Sequence, residues 1–146
     1  MTSKRDVEPG GHTEEDTALC RGIRPRVLLA DDYANMLMAI ERLLSWSCDI
    51  VGKVTSGAEL LAEAHRLRPD VMVVDLYLPD MSGLEACRQI KASALPGSVI
   101  LLTAANDPKL QQSAFESGAS AFVAKYRAGD ELLPAIEKAF AGRMRR

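Results

Sequence analysis

Pro69-Asp70-Val71-Met72-Val73-Val74-Asp75-Leu76-Tyr77-Leu78-Pro79-Asp80-Met81-Ser82-Gly83 is the stretch that decides the fold. Four aliphatic residues in a row, stopped on one side by Pro69-Asp70 and on the other by a turn that Pro79 and Gly83 restrain, read as a short buried central strand. A carboxylate is rarely placed in mid-core without a partner, so Asp75 is expected at the strand's end, near other charges. Three more apolar runs end the same way. Val27-Leu28-Leu29-Ala30 runs into Asp31-Asp32, Val99-Ile100-Leu101-Leu102 into Thr103, and Ala121-Phe122-Val123-Ala124 into Lys125. A weaker run, Asp49 to Val54, has the lower apolar content of an edge strand.

Between these runs the spacing turns helical. Met36, Ala39, Ile40, Leu43 and Leu44 define one face of a first helix. Leu60, Leu61, Ala64 and Leu67 define a second, opened by Ser56 as N-cap and stopped by Pro69-Asp70. Leu84, Cys87 and Ile90 follow Gly83 in a third. A fourth is expected from about Asp107 to Ser117, ended by Gly118 in a left-handed cap. A fifth carries Leu132, Leu133, Ile136, Ala139 and Phe140 and is expected to close at Gly142. Strict alternation of five strands and five helices predicts an α/β fold with a parallel sheet and right-handed crossovers. In such a sheet the carboxyl ends of the strands share one edge, where ligands bind. Asp31, Asp32, Asp75, Thr103 and Lys125 are therefore expected to converge.

Those residue types suit a divalent cation and a phosphoryl group. Two adjacent carboxylates repel, and a bound cation removes that cost; magnesium takes a few carboxylates and keeps several waters. The other reading of the pair is helix capping. A carboxylate beside a metal can attack phosphorus and form an aspartyl phosphate, while Asp75 could also be a satisfied structural acid. Thr103 suits a phosphoryl oxygen as hydrogen-bond donor, or is simply a β-branched strand residue. Lys125 supplies the point charge a phosphoryl group needs, or is a strand-end lysine with its head in water.

Composition excludes other classes. The 146 residues fit one domain, 47% hydrophobic and 26% charged, as in soluble globular proteins. A net charge of -2 makes no global case for nucleic acid. The basic end Arg143-Met144-Arg145-Arg146 reads as a solvated helix tail. Cys20, Cys48 and Cys87 lack metal or disulfide spacing and suit a reducing cytoplasm. No apolar run is long enough for a membrane span, and the N-terminus lacks a secretory signal. Residues 1–24 hold too little apolar surface to fold and are expected to be a flexible tail, residues 25–142 the domain, and 143–146 a basic end. Trp46 is expected to pack over the core edge or to anchor a partner.

As an ordered set, Val27 to Asp32, Pro69 to Gly83, Leu101-Leu102-Thr103-Ala104 and Gly118-Ala119-Ser120-Ala121-Phe122-Val123-Ala124-Lys125 resemble the receiver domain of bacterial two-component response regulators over residues 26–142. The resemblance implies a flavodoxin-like, doubly wound five-stranded sheet in the order 2-1-3-4-5. It implies that Asp75 accepts a phosphoryl group from a histidine kinase or phosphotransfer protein. Asp32, Asp75 and the Tyr77 backbone carbonyl would ligate Mg²⁺, with Asp31 orienting a bound water. Thr103 and Lys125 would hold the phosphoryl group, and Phe122, three residues before Lys125, would be the switch aromatic. The output would reach a downstream effector protein, with a homodimer through the fourth-helix, fifth-strand and fifth-helix face, and no direct contact to nucleic acid or membrane. Two departures stand out. Tyr126 follows Lys125 where many receivers have proline, and bulky Tyr77 lies two residues past the acceptor, where it would alter phosphoryl lifetime.

The spacing of Met81-Ser82-Gly83-Leu84-Glu85-Ala86 is similar to receivers of helix-turn-helix regulators, yet the chain stops at Arg146. A stand-alone receiver and an excised receiver of a transcription factor both fit. So does a receiver that binds partners without phosphorylation, although the complete site set speaks against it. A haloacid-dehalogenase-like phosphatase uses similar groups, but its nucleophile belongs to D-x-D after the first strand, and Asp31-Asp32-Tyr33 lacks that pattern.

Overall fold

A computed structural model gives the fold, and it describes residues 23–104 and 107–144. Five strands are linked by helices: β1 Arg26–Ala30, α1 Ala34–Leu44, β2 Asp49–Val54, α2 Gly57–Leu67, β3 Val71–Asp75, α3 Gly83–Ala92, β4 Ser98–Thr103, α4 Pro108–Glu116 and β5 Ala121–Ala124, then a 3-10 turn Lys125–Arg127 and α5 Ala128–Met144. The sheet is parallel in the order β2-β1-β3-β4-β5, as the resemblance implies.

Alternation along each strand sorts the core into two layers. Leu28, Met72, Val74, Val99 and Leu101 face one way and pack with Leu60, Ala64, Ala86, Cys87, Ile90 and Ala114 of α2, α3 and α4. Val27, Leu29, Val71, Val73, Ile100 and Leu102 face the other way, onto Leu37, Ile40, Leu44, Leu132 and Ile136 of α1 and α5. The helices thus cover both faces, and the polar strand ends are left to one edge. β2 is the half-buried edge strand its composition predicts.

Helix termini follow local chemistry. Ser56 and Ser82, each three residues before a glutamate, accept the amides of Glu59 and Glu85 at 3.1 Å. Asp107 accepts the Lys109 amide at 2.9 Å and opens α4 ahead of Pro108. Gly118 turns the chain at φ 104°. The second helix ends at Leu67, and Arg68, in the left-handed region at φ 46°, separates it from Pro69.

Four expectations need correction. Gly142 does not close the last helix, which continues to Met144. A helical glycine costs only about 1 kcal/mol, and buried Phe140 and Ala141 hold that turn against the core. The basic end is not wholly a solvated tail, because the Arg143 guanidinium donates to Asp70 Oδ1 at 2.7 Å. Trp46 does not pack over the core edge: it is 89% exposed. In α1 the buried face is Leu37, Ile40 and Leu44, while Ala39 is exposed.

The expected tail lies outside the described residues up to position 22. Arg24 is fastened to the α1–β2 corner, donating to Asp49 Oδ1 and to the carbonyls of Ser45, Trp46 and Cys48 at 2.8–2.9 Å. Cys48 and Cys87 are buried thiols; burial, aided by the Glu137 charge, pushes Cys48 up to about 11. Cys20 is outside the described residues. No described helix is long and apolar enough to cross a membrane.

Candidate functional site: an acidic cluster at the carboxyl edge of the sheet

The parallel register brings the ends of β1, β3, β4 and β5 to one edge. Asp31, Asp75 and Thr103 are buried there, at 1, 4 and 0% exposure, among the few buried polar residues of the core. Lys125 reaches in from the end of β5. Its Nζ lies 3.0 Å from Asp31 Oδ2 and 3.3 Å from Asp75 Oδ2, so one ammonium bridges two acids from different strands. The remaining oxygens take backbone donors two residues on: Asp31 Oδ1 accepts the Tyr33 amide at 2.9 Å, and Asp75 Oδ1 the Tyr77 amide at 3.3 Å. Asp32 is exposed beside them.

Electrostatics follow from this crowding. Burial, reinforced by the Asp31 charge, pushes the Asp75 carboxyl above its ordinary value, against the pull of Lys125 and the Tyr77 amide. Burial opposes the charge on Lys125, yet its bonds and charge pairing with Asp31 and Asp75 hold the ammonium above its ordinary value. Oxygens of Asp31, Asp32 and Asp75 lie within 4.8 Å of one another. An all-carboxylate donor set suits a hard divalent cation, and three acids facing one ammonium leave a negative excess for it to neutralise.

The loop after β3 is set by close backbone packing. The Gly83 amide donates to Leu76 at 2.6 Å, and that of Leu78 to Met81 at 3.2 Å. Together they make a bridge between Tyr77 and Ser82 that does not use the Tyr77 carbonyl. A Cβ on Gly83 would sit 2.5 Å from the Asp75 carbonyl oxygen, so only glycine lets α3 start this close to the strand. The result is a cleft of about 360 Å³ lined by Asp32, Tyr33, Asp75, Tyr77, Pro79 and Lys125, among others.

Asp31, Asp32, Asp75, Tyr77, Thr103 and Lys125 thus lie at this edge, whereas Phe122 sits within β5. Phe122 is half-buried and packs on the core layer under α2, α3 and α4. Sequence reading missed two contributors. Tyr33 lines the cleft, although nothing but its place after Asp31-Asp32 marks it. Asp80 accepts the amides of Gly57 and Ala58 at 2.7 and 2.9 Å, capping α2 from a distant loop. Those two bonds hold its carboxyl below its ordinary value. After Lys125 the chain takes a 3-10 turn, and no described peptide bond is cis.

Comparison with known proteins agrees with the geometry. The family model of the response regulator receiver domain matches residues 27–137. The chain is 34% identical over 119 residues to the response regulator protein VraR of Staphylococcus aureus, an alignment covering 80% of this chain and 57% of that protein. It thus spans little more than half the length of the curated relatives it matches. A LuxR-family two-component response regulator from Aurantimonas sp. SI85-9A1 superposes with a TM-score of 0.78 at 30% identity, over 82% of this chain and 87% of that one. The response regulator domain of Thermotoga maritima CheB does so at 0.74 and 28%, over 80% and 96%.

Proposed function

This chain belongs to the response regulator receiver family of two-component systems, and from that premise we propose that it is a working phosphoacceptor switch with Asp75 as its acceptor. The donor is a phosphohistidine on a histidine kinase or phosphotransfer protein. The observation that carries this reading is the Lys125 ammonium between Asp31 Oδ2 and Asp75 Oδ2, a half-buried cation already beside the attacking carboxylate.

In the transfer an Asp75 carboxylate oxygen gives an electron pair to phosphorus. The bond from phosphorus to the donor imidazole breaks, and the imidazole nitrogen takes up a proton. Asp75 becomes an acyl phosphate. Lys125 then pairs with a phosphoryl oxygen, as a point charge does well, and the Thr103 hydroxyl donates to another. Asp31, Asp32, Asp75 and the Tyr77 carbonyl are the groups that would hold Mg²⁺, which when bound neutralises charge on the phosphoryl oxygens. On this reading the chain promotes only its own phosphoryl transfer and hydrolysis, and is not an enzyme for an outside substrate.

The phosphoryl group adds charge and acceptor oxygens at the strand ends. Drawing Thr103 towards it opens space into which Phe122 turns, and the face of α4, β5 and α5 changes shape. That is a population shift between two packings. The changed face meets an effector protein or a second copy of the chain in the cytoplasm, and this domain does not itself read nucleic acid. The test is intact mass after incubation with acetyl phosphate, with and without Mg²⁺, for wild type and Asp75→Ala. A Mg²⁺-dependent phosphoryl adduct on wild type alone is expected; an equal adduct on Asp75→Ala would move the acceptor elsewhere.

A further inference from the structure

The chain has three tyrosines, each within two residues of a charged group of the site. Tyr33 stands two after Asp31, Tyr77 two after Asp75, and Tyr126 directly after Lys125. All are exposed, at 67, 61 and 69%. Tyr33 and Tyr77 line the cleft that holds Asp75 and Lys125. Tyr126 does not; the Arg127 guanidinium lies 5.9 Å from its ring centroid.

Tyr33 occupies a capping position that its side chain does not use. It is the N-cap residue of α1 and makes no capping bond, whereas α2, α3 and α4 have Ser56, Ser82 and Asp107 there. Residues that break a local stability rule beside a reactive site are where function competes with folding. Tyr77 points out between buried Leu76 and Leu78. Both backbones are anchored, because the Oδ1 atoms of the two acids hold their amides. β1 and β3 are neighbours in the sheet, so two exposed aromatic side chains follow adjacent strands, with anchored backbones, in the lining of the cleft.

We propose that Tyr33 and Tyr77 recognise the imidazole ring of the phosphodonor and so favour a phosphohistidine over a small acyl phosphate. The proposal rests on the reading of Asp75 as acceptor. With phosphorus at Asp75, the rest of the donor must lie at the mouth of the cleft. A phosphohistidine puts a flat aromatic ring there, which stacks on a tyrosine face or edge. As the phosphorus–nitrogen bond breaks, the freed nitrogen takes one proton and the ring leaves as neutral imidazole, so the aromatic stacking carries the recognition. Acetyl phosphate has no ring to offer.

The test uses the full chain in magnesium buffer with two small donors, N-phosphoryl imidazole and acetyl phosphate, and reads the rate of the phosphoryl adduct by intact mass. With the first donor, the nitrogen–phosphorus bond breaks, the bond to Asp75 oxygen forms, and the released imidazole takes a proton from water. The quantity of interest is the ratio of the two rates, in which any difference in folded fraction cancels. Tyr33→Ala and Tyr77→Ala are expected to lower it by about three- to tenfold. The phenylalanine variants keep it and the leucine variants lose it, while Tyr126→Ala keeps it. An unchanged ratio in both alanine variants overturns the proposal, as does leucine serving as well as phenylalanine. Failure of both donors to modify the wild type would instead remove the acceptor reading of Asp75 itself.

Discussion

At the amino edge of the sheet, Asp70 has both carboxylate oxygens engaged, Oδ2 by the Arg26 amide at 2.9 Å and Oδ1 by the Arg143 guanidinium at 2.7 Å. Arg26 in turn donates to the Leu67 and Arg68 carbonyls, and Arg24 spends its donors on four acceptors nearby. At the carboxyl edge, Asp31 and Asp75 share the single ammonium of Lys125, with the Asp32 carboxylate close by. One edge matches donor to acceptor and ties α5 to β1 and β3. The other sets two buried acids and one exposed acid beside a single half-buried ammonium, which leaves negative charge in excess there. The contrast separates charges that are fully paired within the fold from charges left in excess, which burial alone does not do.

Three substitutions break or sharpen this comparison. Gly83→Ala has the largest expected effect on stability, a loss of about 2–3 kcal/mol in urea denaturation, because the added methyl meets the Asp75 carbonyl rather than a flexible side chain. An unchanged midpoint would show that the loop after β3 yields. Asp70→Ala removes a partner from both the Arg26 amide and Arg143, and about 1–2 kcal/mol of stability is expected to go with it. Its rate of phosphorylation by acetyl phosphate should match wild type; a slower rate would mean that the two edges are coupled. Asp75→Asn is the smallest and has the opposite sign. In buffer without divalent cations it is expected to stabilise the chain by on the order of 1 kcal/mol.

The pH dependence of that last effect is fixed by direction. The folded-state pKa of Asp75 is raised, so its stability is fully present below the unfolded value and lost as pH rises through the folded value. The advantage of Asn at position 75 should vanish in acid and grow towards neutral pH. Lys125 is also raised, so its contribution persists through neutrality and is lost only in the alkaline range. A thermal-melt series across pH, for wild type and Asp75→Asn, checks both signs.

The strand ends were legible because a parallel sheet converts sequence order into spatial order: an apolar run followed by a polar residue places that residue at the shared edge. Ser56 was legible for a similar reason, since an N-cap acts within three residues. What escaped was non-local or permissive. Arg24 looks like part of a polar tail until the carbonyls of the α1–β2 corner are seen around it. Asp80 caps α2 from another loop, and no local pattern announces that. Gly142 is a plausible helix end, but a glycine only weakens a helix, and packing decides whether the helix continues. Trp46 has the composition of a core residue and sits on a corner with nothing to cover it among the described residues. The convergence of the site was foreseen, but the sharing of one lysine by two acids was not.

That sharing has a consequence for how the chain is made. Lys125 lies 94 positions after Asp31, and domains are synthesised from the N-terminus at a few residues per second to a few tens. Once Asp75 has been made, β1 and β3 can pair while the acids after them face each other without the ammonium that later joins them. The amino-terminal part of the sheet is therefore assembled against its own charge, and the contact that relieves it is among the last that the nascent chain can form. A ribosome-bound fragment ending before residue 125 should accordingly gain more order from added magnesium than the finished chain does.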